Sequence, residues 1–312
     1  MSKRYIYGPV PSRRLGRSLG VDVIPHKICS YDCIYCQLGN TTDKTINRKA
    51  FYRTSLILDE LKEFLKQNIE VDYITFSGSG EPTLNSDIGE MISQVKLITD
   101  ISIVVLTNGS LLWDENVRYA LKEADIVMPS MDAVSDEVFE MINRPDERLE
   151  IFKVLDGLRK FSESFQGKIY LEMMFVKGIN DSEYEVNKMR EFIQKLRIDK
   201  IQLNTVVRPP CEKDSKPLNK EEMGNIKEIF RADVPVETIA HFSAKMATLY
   251  NIDVEKELIS LLKRRPCKLK EMSVSLGIHP NELIKYVTEL ESKNIVKSYV
   301  VDDTKDNYYK VF

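Results

Sequence analysis

The chain has 312 residues, and its 45 Lys and Arg against 48 Asp and Glu give a formal charge of −3, too balanced for a general binder of nucleic acid or anionic membrane. Hydrophobic residues at 43% and charged residues at 30% exclude a disordered or low-complexity chain. No apolar run exceeds about four residues, against the roughly 20 of a membrane span, and the start MSKRYIYGPVPSRR lacks an apolar signal stretch. A cytoplasmic protein with no membrane partner is expected.

Taken in chain order, the block from Gly8 to Gly20 carries Arg13, Arg14 and Arg17 ahead of the first strand. Such arginines either bind carboxylate or phosphate in bidentate geometry or form a solvated arm. Six β-rich runs then alternate with amphipathic stretches: Leu19 to Ile24, Tyr73 to Phe76, Ile101 to Leu106, Ile126 to Met128, Ile169 to Val176 and Ile201 to Val206. Helices are predicted over 55–68, 86–97, 114–122, 135–142, 148–163, 182–196 and 219–230. The clearest is SLILDELKEFLKQN, which puts Ile57, Leu58, Leu61 and Leu65 on one face. Repeated β-loop-α units predict a parallel array whose functional loops gather at the C-terminal strand ends. Six units are too few for a complete eight-unit barrel, so the fold class expected is α/β, a partial (β/α)6 barrel. The stretch RPPCEKDSKP (208–217) is a surface loop by composition.

After residue 250 the pattern changes to helices over 253–264, 268–275 and 280–293, followed by IVKSYVV and YYKVF around the turn DDTKDN. The expected division is a catalytic domain over 1–250 and a small domain over 251–312 that resembles a winged helix in element order. Its second-to-third helix arrangement would make 280–293 the reading helix. That helix sets Glu282, Glu289 and Glu291 against Lys285 and Lys293, a poor match to a phosphate-lined groove. Docking to a protein partner or to the catalytic domain is therefore favoured over RNA.

Five cysteines, an odd number without a secretion signal, point to metal or redox chemistry and away from a disulfide framework. Cys29, Cys33 and Cys36 have the spacing C-x3-C-x2-C directly after the first strand, while Cys211 and Cys267 stand alone. A structural zinc site needs four protein ligands, and no nearby residue completes one, since His26 lies just before the cluster. Three thiolates on a four-iron cluster would leave one iron open to a small molecule. At the end of the second strand, Ser77-Gly78-Ser79-Gly80-Glu81-Pro82 offers glycines that admit a ligand to the backbone and a carboxylate that can accept from an ammonium. The fourth strand runs out at Ser130-Met131-Asp132, where polar side chains suit ribose hydroxyls or, for Asp132, a helix cap. Thr107-Asn108-Gly109 after the third strand reads first as turn chemistry and second as a ligand contact. Glu172, Lys177, Asn204 and Arg208, near the ends of the fifth and sixth strands, either face a substrate or form internal ion pairs.

The C-x3-C-x-aromatic-C signature, with Tyr35 in the aromatic place, resembles the radical S-adenosylmethionine (SAM) superfamily. The resemblance implies one [4Fe-4S] cluster on Cys29, Cys33 and Cys36, with SAM chelated by the open iron. It implies reductive cleavage of SAM to a 5′-deoxyadenosyl radical that abstracts hydrogen from a substrate, and a one-electron reductant such as flavodoxin or ferredoxin. By the same resemblance Tyr35, Ser79, Gly80, Glu81, Ser130 and Asp132 would line the SAM site, with Ser79 standing where the family's first paired glycine stands. Val176-Lys177-Gly178-Ile179-Asn180 is similar to a segment of the molybdenum-cofactor cyclase and wyosine-synthase branches. Residues 5–245 resemble an uncharacterised group related to the tRNA wyosine synthases, but no second cysteine triplet exists for their second cluster. The substrate, RNA, peptide or small molecule, is not named by the sequence. The competing class is an iron-sulfur redox sensor that regulates or binds nucleic acid through its small C-terminal domain.

Overall fold

Burial decides which runs become strands. In the computed structural model, residues 5–312 are described except 13, 68, 207–209, 240–251, 265, 277 and 302–305. The six anticipated strands are present as β2 (Gly16–Asp22), β5 (Tyr73–Ser77), β6 (Ile103–Thr107), β7 (Ile126–Pro129), β8 (Lys168–Phe175) and β9 (Lys200–Thr205). With β1 (Ile6–Ser12) and β10 (Val236–Thr238) they make one mostly parallel sheet of eight strands in the order β1-β2-β5-β6-β7-β8-β9-β10. The short pair β3 (Ile28–Cys29) and β4 (Asp43–Lys44) forms a separate parallel ladder.

Helices α1 (Thr54–Leu65), α2 (Ile88–Ile98), α3 (Glu115–Ala120), α4 (Asp136–Ile142), α5 (Ile151–Ser164), α6 (Glu183–Ile193) and α7 (Lys220–Phe230) make the returns. Each presents an apolar stripe to the sheet, as α1 does with Ile57, Leu58 and Leu61. The main core runs from Leu19 and Phe76 through Phe161 and Phe175 to Leu203 and Phe230, all essentially without solvent exposure. Strand β8 differs from its neighbours in alternating strictly between buried and half-buried residues. Leu171, Met173 and Phe175 join the main core, while Glu172 and Met174 line a cavity.

Two strands go beyond the six expected. β10 (Val236–Thr238) adds a short parallel strand beside β9. At the other end β1 (Ile6–Ser12) pairs antiparallel with β2, so the arginine-bearing block is a hairpin and not a solvated arm. Gly8, Pro9 and Pro11 hide this strand in the sequence, yet prolines are tolerated on a sheet edge, where one side of the strand needs no ladder bonds. Glu60 of α1 holds the entry to β1 by accepting from the Tyr5 and Ile6 amides at 2.9 and 3.3 Å. Arg17 pairs with Glu70 and Asp72, and Arg14 reaches across to Glu172. Arg13 and Arg208 lie outside the described residues.

The C-terminal residues form α8 (Ile252–Arg264), β11 (Cys267–Lys268), α9 (Leu269–Leu276), α10 (Pro280–Ser292), β12 (Val296–Val301) and β13 (Asp306–Val311). The expected hairpin gains β11, giving a three-stranded sheet in the order β11-β13-β12. These elements share their own core of Leu258, Leu262, Cys267, Met272, Leu283, Val287 and Leu290. Most of the intervening turn lies outside the described residues. No helix among the described residues is long and apolar enough to cross a membrane.

Gly20 of β2 marks how closely the edge strand sits. A Cβ there would lie 2.0 Å from the Tyr7 ring of β1. Gly20→Ala is expected to displace Tyr7 and lower unfolding stability by about 1–3 kcal/mol, measured by urea denaturation, since overpacking at a rigid contact forces the backbone apart.

Candidate active site

The cysteine loop leaves β2, turns through Cys29 to Cys36, and is tied down on both sides. The Asp32 and Ile34 amides donate to the carbonyls of Asn143 and Ile142 after α4, at 2.9 and 3.1 Å. From the strand-exit side, the Glu81 amide donates to the Ile28 carbonyl at 3.1 Å. This approach requires Gly80, because a Cβ there would lie 1.8 Å from the Ile28 oxygen. The loop beginning at Pro210 folds onto the same segment, with the Glu212 amide donating to the Ile34 carbonyl at 2.9 Å and Glu212 pairing with Arg144.

All three loop cysteines are free and half-buried. Burial, with the Glu81 charge second, pushes the Cys29 thiol up to about 12, and burial with the Asp132 charge raises Cys33 well above its ordinary value. Each sulfur receives a side-chain nitrogen donor from a different part of the chain. Asn108 Nδ2 lies 3.6 Å from Cys29 Sγ, Asn143 Nδ2 lies 3.4 Å from Cys33 Sγ, and Lys27 Nζ lies 3.3 Å from Cys36 Sγ. Lys27 is almost wholly buried and occupies the left-handed region at φ 60°. Burial works against its charge, but the surrounding sulfurs, Cys36 first, more than offset this and raise its pKa. Sequence reasoning passed over all three donors. Asn108 does serve its turn, accepting from the Ser110 amide through Oδ1, while its Nδ2 is turned toward Ser30 and Cys29.

Glu81 is buried and caps the short helical turn 82–84 that follows it. Its Oε1 accepts from the Thr83 amide and from the hydroxyls of Thr83 and Thr107, and Oε2 accepts from the Asn108 amide. With about four lone-pair sites on a carboxylate, one direction on Oε2 stays open. Burial raises its pKa, and these hydrogen bonds oppose the rise. Ser79 is fixed three times: its amide and hydroxyl donate to Asp22 at 3.1 and 2.8 Å, and its carbonyl accepts from the Lys27 amide at 2.5 Å.

Asp132 is likewise a brace. It accepts from the Tyr35 hydroxyl, the Asn143 side chain and the Met174 amide, joining the cysteine loop to the exits of β7 and β8. Burial pushes its carboxyl up to about 6. The helix-cap alternative for Asp132 is not what is seen, since Ser135 occupies that position before α4. Asn180 is structural as well, bonding the Val176 amide and the carbonyls of Asp132 and Met174. Lys177 forms an exposed pair with Glu222, away from the cysteines. Cys211 is half-buried near the cysteine loop and Cys267 lies in the C-terminal core; His26 is exposed.

A cavity of about 330 Å³ opens beside the loop. Tyr35, Cys36, Gly78 and Ser130 line one part, Arg14, Glu172 and Asn204 another, and Asn281 and Lys285 of α10 a third. Glu172 sits in an internal ion pair with Arg14, the second of its two sequence alternatives, and it also borders this space. Ser79, Gly80 and Glu81, which follow the lining residue Gly78, are not themselves part of this lining. Among the described residues no three His, Cys, Asp or Glu side chains converge on a point that would hold one metal ion. Three free thiols on one loop, each met by its own nitrogen donor, suit a multi-iron cluster, in which each thiolate binds a different iron.

A family model described as the Radical SAM superfamily matches residues 23–188. The chain is 37% identical to GTPase Obg of Brachyspira hyodysenteriae over 97% of its own length, but it spans only 45% of that protein. It is 35% identical to a UPF0026 protein of Methanocaldococcus jannaschii, covering 91% of this chain and 90% of that one. A solved structure of TYW1 with a lysine-pyruvate adduct bound has a TM-score of 0.53 at 17% identity, over 71% of this chain and 76% of that one, which is a likeness of fold. With its cysteine loop inside a family match that spans more than half of the residues, the chain belongs to the radical SAM superfamily.

Proposed function

We propose that this protein is an enzyme that binds one [4Fe-4S] cluster through Cys29, Cys33 and Cys36 and holds SAM in the adjoining cavity. The observation that carries the reading is the set of three thiols on one loop, each facing its own nitrogen donor, at the edge of a cavity that Tyr35, Cys36 and Ser130 share. When bound, the cluster supplies the electron that splits SAM to methionine and a 5′-deoxyadenosyl radical, which takes hydrogen from the substrate.

The chain's own groups have separable tasks in this scheme. Asn108, Asn143 and Lys27 supply N–H donors that stabilise negative charge on the sulfurs. The open direction on Glu81 Oε2 accepts from the methionyl ammonium, and the Ser79 carbonyl has a second lone pair for the same group. Ser130 serves the ribose, whereas Asp132, already carrying three donors, acts by holding Tyr35 and the strand exits in place. Arg14 and Glu172 cross the cavity as a closing pair that keeps bulk water from the reacting atoms.

We take residues 251–312 as a separate winged-helix-like domain after a catalytic domain over 1–250. Leu283, Ile284, Val287 and Leu290 of α10 pack into the C-terminal core, and it is the helix's Glu282, Glu289 and Glu291 that favour docking over groove reading. The reductant is a one-electron carrier of the flavodoxin or ferredoxin kind. The wyosine reaction is not carried over, since the second cysteine triplet is missing. The GTPase activity named for one relative is not carried over either, since the chain spans under half of it and holds no G-x4-G-K-[ST] phosphate loop.

Three measurements test this reading. After anaerobic reconstitution, Cys29→Ala, Cys33→Ala and Cys36→Ala should each lose the roughly four-iron content and its absorbance, while Cys211→Ala and Cys267→Ala retain both. A full cluster in any of the first three would overturn the ligand assignment. Glu81→Gln should keep its cluster but lose roughly 1.5–3 kcal/mol of SAM binding by calorimetry, the size of a charge-assisted contact. Asn108→Ala and Asn143→Ala should lower the cluster's midpoint potential in an anaerobic redox titration, because a donor to sulfur favours the reduced, more negative state. An unchanged potential in both would leave these donors as loop braces only.

A further inference from the structure

The C-terminal residues meet the catalytic loops at a buried histidine. His279 precedes α10 and its Nδ1 accepts from the Asn281 amide at 3.1 Å, which leaves Nε2 as the protonated nitrogen. Nε2–H then donates to Asp22 Oδ2 at 2.7 Å, with both side chains about 5% exposed. The imidazole also stacks on Tyr7, with ring centroids 4.2 Å apart and planes 17° apart. Asp22 is at the end of β2, and its carboxylate accepts from the Ser79 amide at 3.1 Å and hydroxyl at 2.8 Å. One carboxylate therefore joins α10 to the Gly-rich strand exit.

The same helix faces the cavity. Asn281 and Lys285, one turn apart, line it opposite the cysteine loop. The Asn281 side chain hydrogen-bonds Tyr7, yet its Oδ1 is buried with no partner among the described residues. Arg14 Nε, bordering the same space, is also buried without one. Unsatisfied buried polar atoms are costly, and here an open acceptor and an open donor border one cavity, where a polar ligand or ordered water would satisfy them.

We propose that His279 is a positioning residue that seats α10 as a wall of the active-site cavity, so that occupancy of the SAM site and docking of residues 252–312 are linked through Asp22 and Ser79. This rests on the SAM reading of the cavity. By linkage, a docked α10 tightens SAM binding, and bound SAM tightens the docking of α10 by the same factor.

The test uses the full-length reconstituted protein with SAM itself as the probe. SAM should slow amide hydrogen exchange across 279–292 in the parent protein. His279→Ala should abolish that protection and weaken SAM affinity about fivefold or more, with iron content unchanged. Should His279→Ala fold poorly, Asp22→Asn breaks the same link from the other side with little change of shape. His279→Gln, which keeps an N–H donor for Asp22, should recover part of both effects, a rescue that general loosening of the domain would not give. SAM binding to the parent with no change of exchange at 279–292, or variants matching its affinity, overturns the latch and leaves the cofactor reading standing. Failure of the parent to bind SAM overturns both.

Discussion

The buried carboxylate of Glu81 is the point on which the strand exits and the cysteine loop depend. An ionised carboxylate out of water is affordable only when its oxygens are met by donors, and here four come from two different strand exits. Those donors set the exit of β5 against that of β6. Asn108, whose amide is one of them, passes the constraint on by bonding Ser30 and Cys29 with its side chain. A single ionised group thereby fixes the relative positions of two strand ends and one cysteine. Asp132 repeats the device on the other flank, where its three donors bind Tyr35, Asn143 and the Met174 amide into one unit. The cysteine loop is held between two buried acids, each met by hydrogen-bond donors and not by a paired cation.

Much of this was legible in the sequence because its signals are local. Most of the parallel strands are short β-branched runs buried on both faces, with β8 and β10 the exceptions, and the longer helices show their stripe within a dozen residues. The cysteine spacing lies within eight residues, and the Gly-rich strand exit is a single segment. The antiparallel β1 was not legible, since Gly8, Pro9 and Pro11 weigh against a strand unless its place on the edge is already known.

The sulfur donors escaped for a different reason. Lys27, Asn108 and Asn143 have nothing in common along the chain, and only the folded array brings their nitrogens to the three sulfurs. Asn108 was read as a turn residue, correctly as far as its Oδ1 goes, and the other half of its amide carried the further contact. For Glu81 and Asp132 the sequence located the carboxylates but could not count their donors. That count separates a free acceptor from a brace.

The separation of 257 residues between Asp22 and His279 has a consequence for assembly. The cysteines and their three donors all lie within residues 27–143, so the contacts between them are of much shorter span. Longer loops cost more entropy to close, and chains are made from the N-terminus onward. In chain order the cysteine loop and its donors therefore come well before the helix that borders the cavity, and the tie between Asp22 and His279 is the one that brings the two ends of the chain together.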